Sequence, residues 1–226
     1  MKPVIGELAP AFARDFGVKV SVKLDRSGMV KTRALEDEAA DVVITTKAAV
    51  DELARQGKVA PDSVADIAHL RIGVAVRRGA AKPDLDTVES FKQTLLNAKS
   101  IACADPATGS PSANYFVPLL SRLGIATEIA PKLKLVGPGG GGVVVVCEAV
   151  ANGDAEIGIQ QIAEILPVAG VDLAGPLPDA LQKVTTFTAA AATGACAPDL
   201  ARRFVAFISS EAVAPVVTTK GMEFPR

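Results

Sequence analysis

Strand-like and helix-like segments alternate along this chain, and several of the strands hand over to a helix through a short polar turn. That alternation constrains the fold more than any single residue, because it selects sheets whose strands are linked by helical crossovers. A first helix carries Val4, Ile5, Leu8, Phe12 and Phe16 on one face, opened by Pro3 and closed by Gly17. The alternating residues Val18–Leu24 predict a strand. They lead through Asp25–Gly28 into a helix over Met29–Glu38, a strand over Asp41–Thr45 and a helix over Ala48–Gln56. An extended stretch from Ala65 to Arg77 follows.

A second series then begins. It reads as helix Val88–Asn97, strand Ser100–Ala104, helix Ser112–Leu123, strand Leu133–Val136, helix Val143–Asn152 and strand Ala155–Ile159. The Val143–Val146 run favours a strand by propensity. Its place between the Gly137–Gly142 run and the Asn152-Gly153 stop predicts a helix instead. After Asp172–Pro178 comes another extended stretch, Val184–Ala192, and Pro198–Ser209 and Glu211–Thr219 read as closing helices. The expectation is an α/β protein of two lobes, each a mainly parallel sheet flanked by helices. Residues 1–76 with 184–226 form one lobe and 77–183 the other, joined by two strands. Ligands of open α/β sheets bind where strands turn into helices.

The turn after Ser100–Ala104 is the richest of these. Asp105-Pro-Ala-Thr-Gly-Ser-Pro-Ser112 opens a helix whose first backbone N–H groups lack intrahelical partners. Ser110 or Ser112 is expected to cap that end. Thr108, Ser110 and Ser112 add hydroxyls, so neutral donors alone can hold a small anion there. Ser27-Gly28 opens an earlier helix in the same way, with Arg26 beside it. Lys2, Arg26 and Arg77 are the candidate cationic contacts. The Gly137–Gly142 run lacks the Gly-Lys-Ser/Thr ending of a phosphate loop and reads as a turn. Gln160-Gln161 follow the late strand. As neighbours at a helix start, one is expected to face solvent.

Composition excludes several classes. The 226 residues carry a formal net charge of −1, which recruits neither nucleic acid nor an anionic membrane surface. Aromatic residues make up 4%, with no Trp, so recognition by ring stacking is not expected. No apolar run reaches membrane-spanning length. Cys103, Cys147 and Cys196 match no metal spacing, and His69 is the one histidine. No metal centre, cofactor or Ser-His-Asp machinery is expected, and no catalytic residue is assigned.

Ala40–Thr45, Val50–Leu53 with Gly57–Val59, Ile72–Val76, Asp105-Pro106, Leu119–Gly124, Asn152–Gly158, and Pro198–Ser210 with Lys220-Gly221 carry a family resemblance. In order and spacing they resemble the periplasmic molybdate-binding proteins of ABC importers, within the two-lobed type II solute-binding superfamily. The resemblance implies a monomeric periplasmic protein that holds a small anion in an interlobe cleft and passes it to a permease and ATPase. It places Ser27 and Gly28 on one wall, Thr108, Ser110 and Ser112 on the other, with Gly139 and Gly140 adjoining and Gln160 nearby. Where the molybdate binders carry a Tyr, this chain has Gln160-Gln161, which leaves open a molybdate-like oxyanion or a carboxylate. That departure resembles a branch whose members include aconitate isomerase-like proteins, which implies the alternative of an allylic proton shift between trans- and cis-aconitate. The family begins with a signal peptide and a central first strand. Met1-Lys-Pro3 falls where that strand ends, so the resemblance implies a start placed too late and a first strand missing.

Overall fold

A computed structural model describes residues 1–137 and 145–225. In chain order the elements are α1 (Lys2–Phe16), α2 (Ser27–Leu35), β1 (Val42–Thr46), α3 (Lys47–Arg55), β2 (Ala65–Leu70) and β3 (Ile72–Arg77). They continue with α4 (Val88–Asn97), β4 (Ile101–Ala104), α5 (Pro111–Arg122), α6 (Ala126–Ile129), β5 (Leu133–Val136) and α7 (Val145–Asn152). Then come β6 (Ile157–Gln161), α8 (Ile162–Ile165), β7 (Val171–Pro176), β8 (Thr185–Ala191), α9 (Pro198–Ile208) and α10 (Ala214–Thr219). Two compact units result: Met1–His69 with Thr185–Arg226, and Leu70–Val184. The changeover falls ahead of β3, not after residue 76, because β3 pairs with β6 and β7 inside the second unit.

In the first unit the sheet order is β1-β8-β2, with β1 and β8 antiparallel. Helix α1 starts on a proline in its first turn and stops at Gly17, whose φ of 63° lets its N–H reach back to the Ala13 carbonyl. Its apolar stripe, Val4, Ile5, Leu8, Ala9 and Phe12, is buried. Phe12 meets Phe204 of α9 edge-on at 5.0 Å between ring centroids, a favoured aromatic geometry. Residues 18–24 form no regular element and belong to no ladder of this sheet, so the expected strand is not formed among the described residues. Alternation selects extended backbone; a strand also needs a neighbour in register. Val22 and Leu24 stay exposed.

In the second unit the order is β5-β4-β6-β3-β7. Strands β5, β4 and β6 run parallel, whereas β3 is antiparallel to both β6 and β7. The expected parallel arrangement thus holds for three of its five strands, and the sheet as a whole is mixed. One face packs Ile72, Val74, Ile101, Cys103, Ile157 and Ile159 against Phe91 and Leu95 of α4 and Phe116 and Leu119 of α5. The other carries small residues, Ala75 and Ala102, under Val146, Cys147 and Val150 of α7. Gly158 belongs to that close approach: a Cβ there would lie 2.9 Å from Val150 and 3.2 Å from Val146. Helix α7 forms despite its β-branched residues because Val146 and Val150, four apart, share the sheet-facing side. Strand β7 covers residues to which the sequence pattern assigns no element. It lies at the sheet edge, where Pro176 removes no ladder bond from a further neighbour.

Gly73 of β3 pairs with Gln160 of β6 and sits under a tight cover. A Cβ there would meet Ile162 at 2.8 Å, Leu173 at 2.9 Å and the Gly175 carbonyl at 3.0 Å, and the last, being backbone, yields least. Gly73→Ala is expected to cost about 1–3 kcal/mol, read as a lower denaturant midpoint with an unchanged slope.

Candidate functional site

Strand β4 ends at Ala104, and the turn that follows is tied down by its own side chains. The Asp105 carboxylate accepts from the Ala107 N–H at 2.9 Å, and the Thr108 hydroxyl donates to the Asp105 carbonyl at 2.6 Å. Gly109 takes the left-handed conformation, φ 74°, that swings the chain into α5. Pro111 occupies the first turn of this 12-residue helix.

Ser110 is the N-cap residue, yet neither serine caps the helix. The Ser110 and Ser112 hydroxyls lie 3.0 Å apart, and Ser112 donates to Oε1 of Gln160 at 2.7 Å. The capping expectation is therefore corrected: these hydroxyls are spent on each other and on β6. The first-turn N–H groups of α5 consequently have no side-chain acceptor from their N-cap residue. Oε1 of Gln160 also accepts the Gln161 backbone N–H at 3.0 Å.

Both glutamines are 3% exposed. The expectation that one faces solvent fails because β6 runs two residues further than predicted. Gln160 and Gln161 thus close a strand buried between β4 and β3. Nε2 of Gln161 is buried with no hydrogen-bond partner among the described residues. An unsatisfied buried donor of this kind costs about 1–3 kcal/mol.

The structure thus brings Ser110, Ser112 and Gln160 into one hydrogen-bonded group, with Thr108 in the turn leading to it. Arg77 does not join them. It lies at the far end of β3, four residues or about 13 Å along the strand from Gly73, the partner of Gln160. Its guanidinium covers Gly153, where a Cβ would be 1.9 Å from Nη2. Gly139 and Gly140 lie outside the described residues.

In the first unit, Ser27 and Gly28 form the first turn of the nine-residue α2, and Arg26 is its N-cap residue. Thr45 of β1, fully buried, donates to the Ser27 carbonyl at 3.1 Å and fixes that turn to the sheet. Asp25 is held by Arg33 at 2.8 Å. Lys2 begins α1 and is exposed.

Glu164 was missed in the sequence. It stands three residues beyond Gln161 on α8, in the apolar run Ile162-Ala-Glu-Ile-Leu166, and a carboxylate in such a run is the signal that could have marked it. Burial pushes its pKa from 4.5 to about 7, because desolvation penalises the charged form. Burial likewise pushes the Cys103 and Cys147 thiols up to about 12, which makes them poor nucleophiles. Among the described residues no group of His, Cys, Asp and Glu is arranged to hold a metal ion, and no helix is long and apolar enough to cross a membrane.

Residues 1–223 match the family of bacterial extracellular solute-binding proteins. The chain is 33% identical over 224 residues to an aconitate isomerase from a Pseudomonas species, covering 97% of this chain and 82% of that protein. Its fold is similar to the periplasmic molybdate-binding protein of Azotobacter vinelandii, at a TM-score of 0.76 and 19% identity, over 99% of this chain and 95% of that one. It is also similar to iron-bound HitA of Pseudomonas aeruginosa, at a TM-score of 0.67 and 18% identity, over 100% and 86% of the two chains. Proteins named for an oxyanion and for iron share this fold, so the fold alone does not choose a ligand.

Two outcomes are expected from substitution at the site. Ser112→Ala removes the donor to buried Oε1 of Gln160 and costs about 1–2 kcal/mol in equilibrium unfolding. Glu164 has a folded pKa above its unfolded value, so the native state binds its proton more tightly. Its contribution to stability is full below pH 4.5 and is lost as pH rises through about 7. Relative to Glu164→Gln, the wild-type protein should lose stability across that window and stay level above it, as measured by unfolding at a series of pH values.

Proposed function

The chain belongs to the family of bacterial extracellular solute-binding proteins, and on that premise we propose that it captures a small anion, a carboxylate in particular, at the first turn of α5. The observation that carries this reading is the buried bond from Ser112 to Gln160. It turns both serine hydroxyls away from the helix and leaves the first-turn amides for a ligand. Oε1 of Gln160 is occupied twice, so the NH2 group of that side chain is the part left to donate. Backbone N–H groups at a helix N-terminus and a side-chain amide form short, charge-assisted bonds to an anionic oxygen, and they need no countercharge to be removed from water. Thr108 holds the turn in place. Within the first unit, Ser27 and Gly28 at the start of α2, with Arg26 and Lys2, are the proposed anion contacts. An ABC permease and ATPase are the proposed recipients, and the periplasm the proposed place of capture.

A second reading, an isomerase acting on aconitate, is favoured by Glu164. A carboxyl titrating near neutrality suits a group that must both take and return a proton. In an allylic shift it would remove a proton from the methylene carbon. The C–H electron pair would become the new double bond, and the old double bond would take the proton at its far carbon. The 33% identity with an aconitate isomerase supports the same choice of substrate class.

Thermal unfolding of the purified protein with molybdate, sulfate, citrate, cis-aconitate and trans-aconitate separates these readings. A raised Tm with the carboxylates, none with sulfate or molybdate and no turnover is the expected result for a carboxylate carrier. Protein-dependent interconversion of the aconitates establishes the isomerase. A response to molybdate alone would overturn the carboxylate assignment.

A further inference from the structure

We propose that Gln182 pins the joint between the two units: its carboxamide clasps the two chain connections to each other, so that bending is confined to the Leu70-Arg71 link and to Lys183 and Val184. Gln182 is thus a positioning residue. The inference goes beyond the reading of the anion site and stands without it.

The chain passes between the units twice, ahead of β3 and ahead of β8. On the first pass Arg71 alone separates β2 from β3, and on the second residues 182–184 lead into β8. Gln182 joins the two passes. Its Oε1 accepts the Ile72 N–H at 2.8 Å, and its Nε2 donates to the Ile72 carbonyl at 2.9 Å. A residue of a neighbouring antiparallel strand would exchange the same two bonds with Ile72. Here one side chain supplies both, because a primary amide carries an acceptor and a donor together. Ile72 is buried, so water does not compete for these bonds.

The surroundings anchor the clasp to the second unit. Arg71 and Asp179 form an ion pair that ties the passes a second time. The Tyr115 hydroxyl of α5 donates to the Leu181 carbonyl at 2.9 Å, and the Arg71 carbonyl accepts the Ile162 N–H at 2.9 Å. On the first-unit side β2 and β8 are neighbours in the sheet, and Nδ1 of His69 lies 3.0 Å from Oγ1 of Thr186. The His69 backbone also exchanges bonds with Glu223, at 2.8 and 2.9 Å.

Little chain remains between these two clasped ends. One pass has the Leu70-Arg71 link, and the other has Lys183 and Val184, both exposed. Hinges in proteins are a few element-terminal residues that absorb the backbone change. A single tether lets a unit swivel about it. Two tethers fixed to each other at both ends leave only bending about the line that joins them, and Gln182 fixes one of those ends.

Spin labels on Cys196, an exposed cysteine of the first unit, and on Gln93→Cys, an exposed position of α4 in the second, report the joint. Cys103 and Cys147 are buried and stay unlabelled. Pulsed dipolar EPR of the frozen protein without solute gives the distribution of label distances in otherwise wild-type, Gln182→Met and Ser63→Ala chains. Ser63 is the control: its hydroxyl accepts the Ala191 N–H at 2.9 Å and donates to the Ala60 carbonyl at 2.6 Å, at the end of β8 away from the joint. The expected result is a distribution about twofold wider in Gln182→Met, with Ser63→Ala like wild type. A wild-type width in Gln182→Met overturns the pin. Equal broadening in Ser63→Ala also overturns it, because lost stability alone would then suffice. Should Gln182→Met fail to fold, Gln182→Asn, whose amide falls one methylene short of Ile72, is read by the same two criteria.

Discussion

Strand β6 is hydrogen-bonded in parallel to β4 on one side and antiparallel to β3 on the other, and is covered by helices on both faces. Each of its five residues is buried, so whatever side chains it ends on must find partners away from water. Three apolar or small residues satisfy that at once. The last two are glutamines, and their needs organise the rest: Ser112 is drawn to Gln160, Ser110 to Ser112, and the start of α5 is left uncapped. A bland pair at the end of β6 would free the serines to cap α5, and the donors that define the site would be consumed locally.

The helices set how closely this strand can be held. On the α7 side, Gly158, Ala75 and Ala102 admit Val146 and Val150 to contact distance. On the α5 side, long side chains fill a wider gap. Gly73 repeats the small-residue device next to Gln160, under Ile162 and Leu173. Interiors packed to this density transmit displacement, so the position of Gln160 depends on residues that never touch a ligand.

Much of this was legible in the sequence, for identifiable reasons. The capped ends of α1 at Pro3 and Gly17, the extent of α4 and β5, and the turn from β4 into α5 follow from residues whose conformational preferences are local. The resemblance to solute-binding proteins likewise held through a chain-long match. What was not legible depends on partners distant in the chain. Residues 18–24 alternate like a strand, but pairing decides that. Strand β7 hides behind Gly175 and Pro176, which only an edge position tolerates. That Ser110 and Ser112 bond outward and not to their own helix, and that both glutamines are buried, follows from the end of β6, 48 residues further on from Ser112. Burial of Glu164 likewise comes from packing that its flanking apolar residues only hint at.

The connectivity of the two units has a consequence for how the protein is made. Unit Leu70–Val184 is continuous, whereas the other is assembled from Met1–His69 and Thr185–Arg226. Strand β8, which supplies the middle of the three-stranded sheet between β1 and β2, comes from the later piece. During synthesis the continuous unit has all its strands and can close first, while β1 and β2 emerge early and remain unpaired until β8 leaves the ribosome. For that interval β1 and β2 are less protected than the strands of the continuous unit. Whatever guards them acts on strands that are made before the continuous unit and complete their sheet after it.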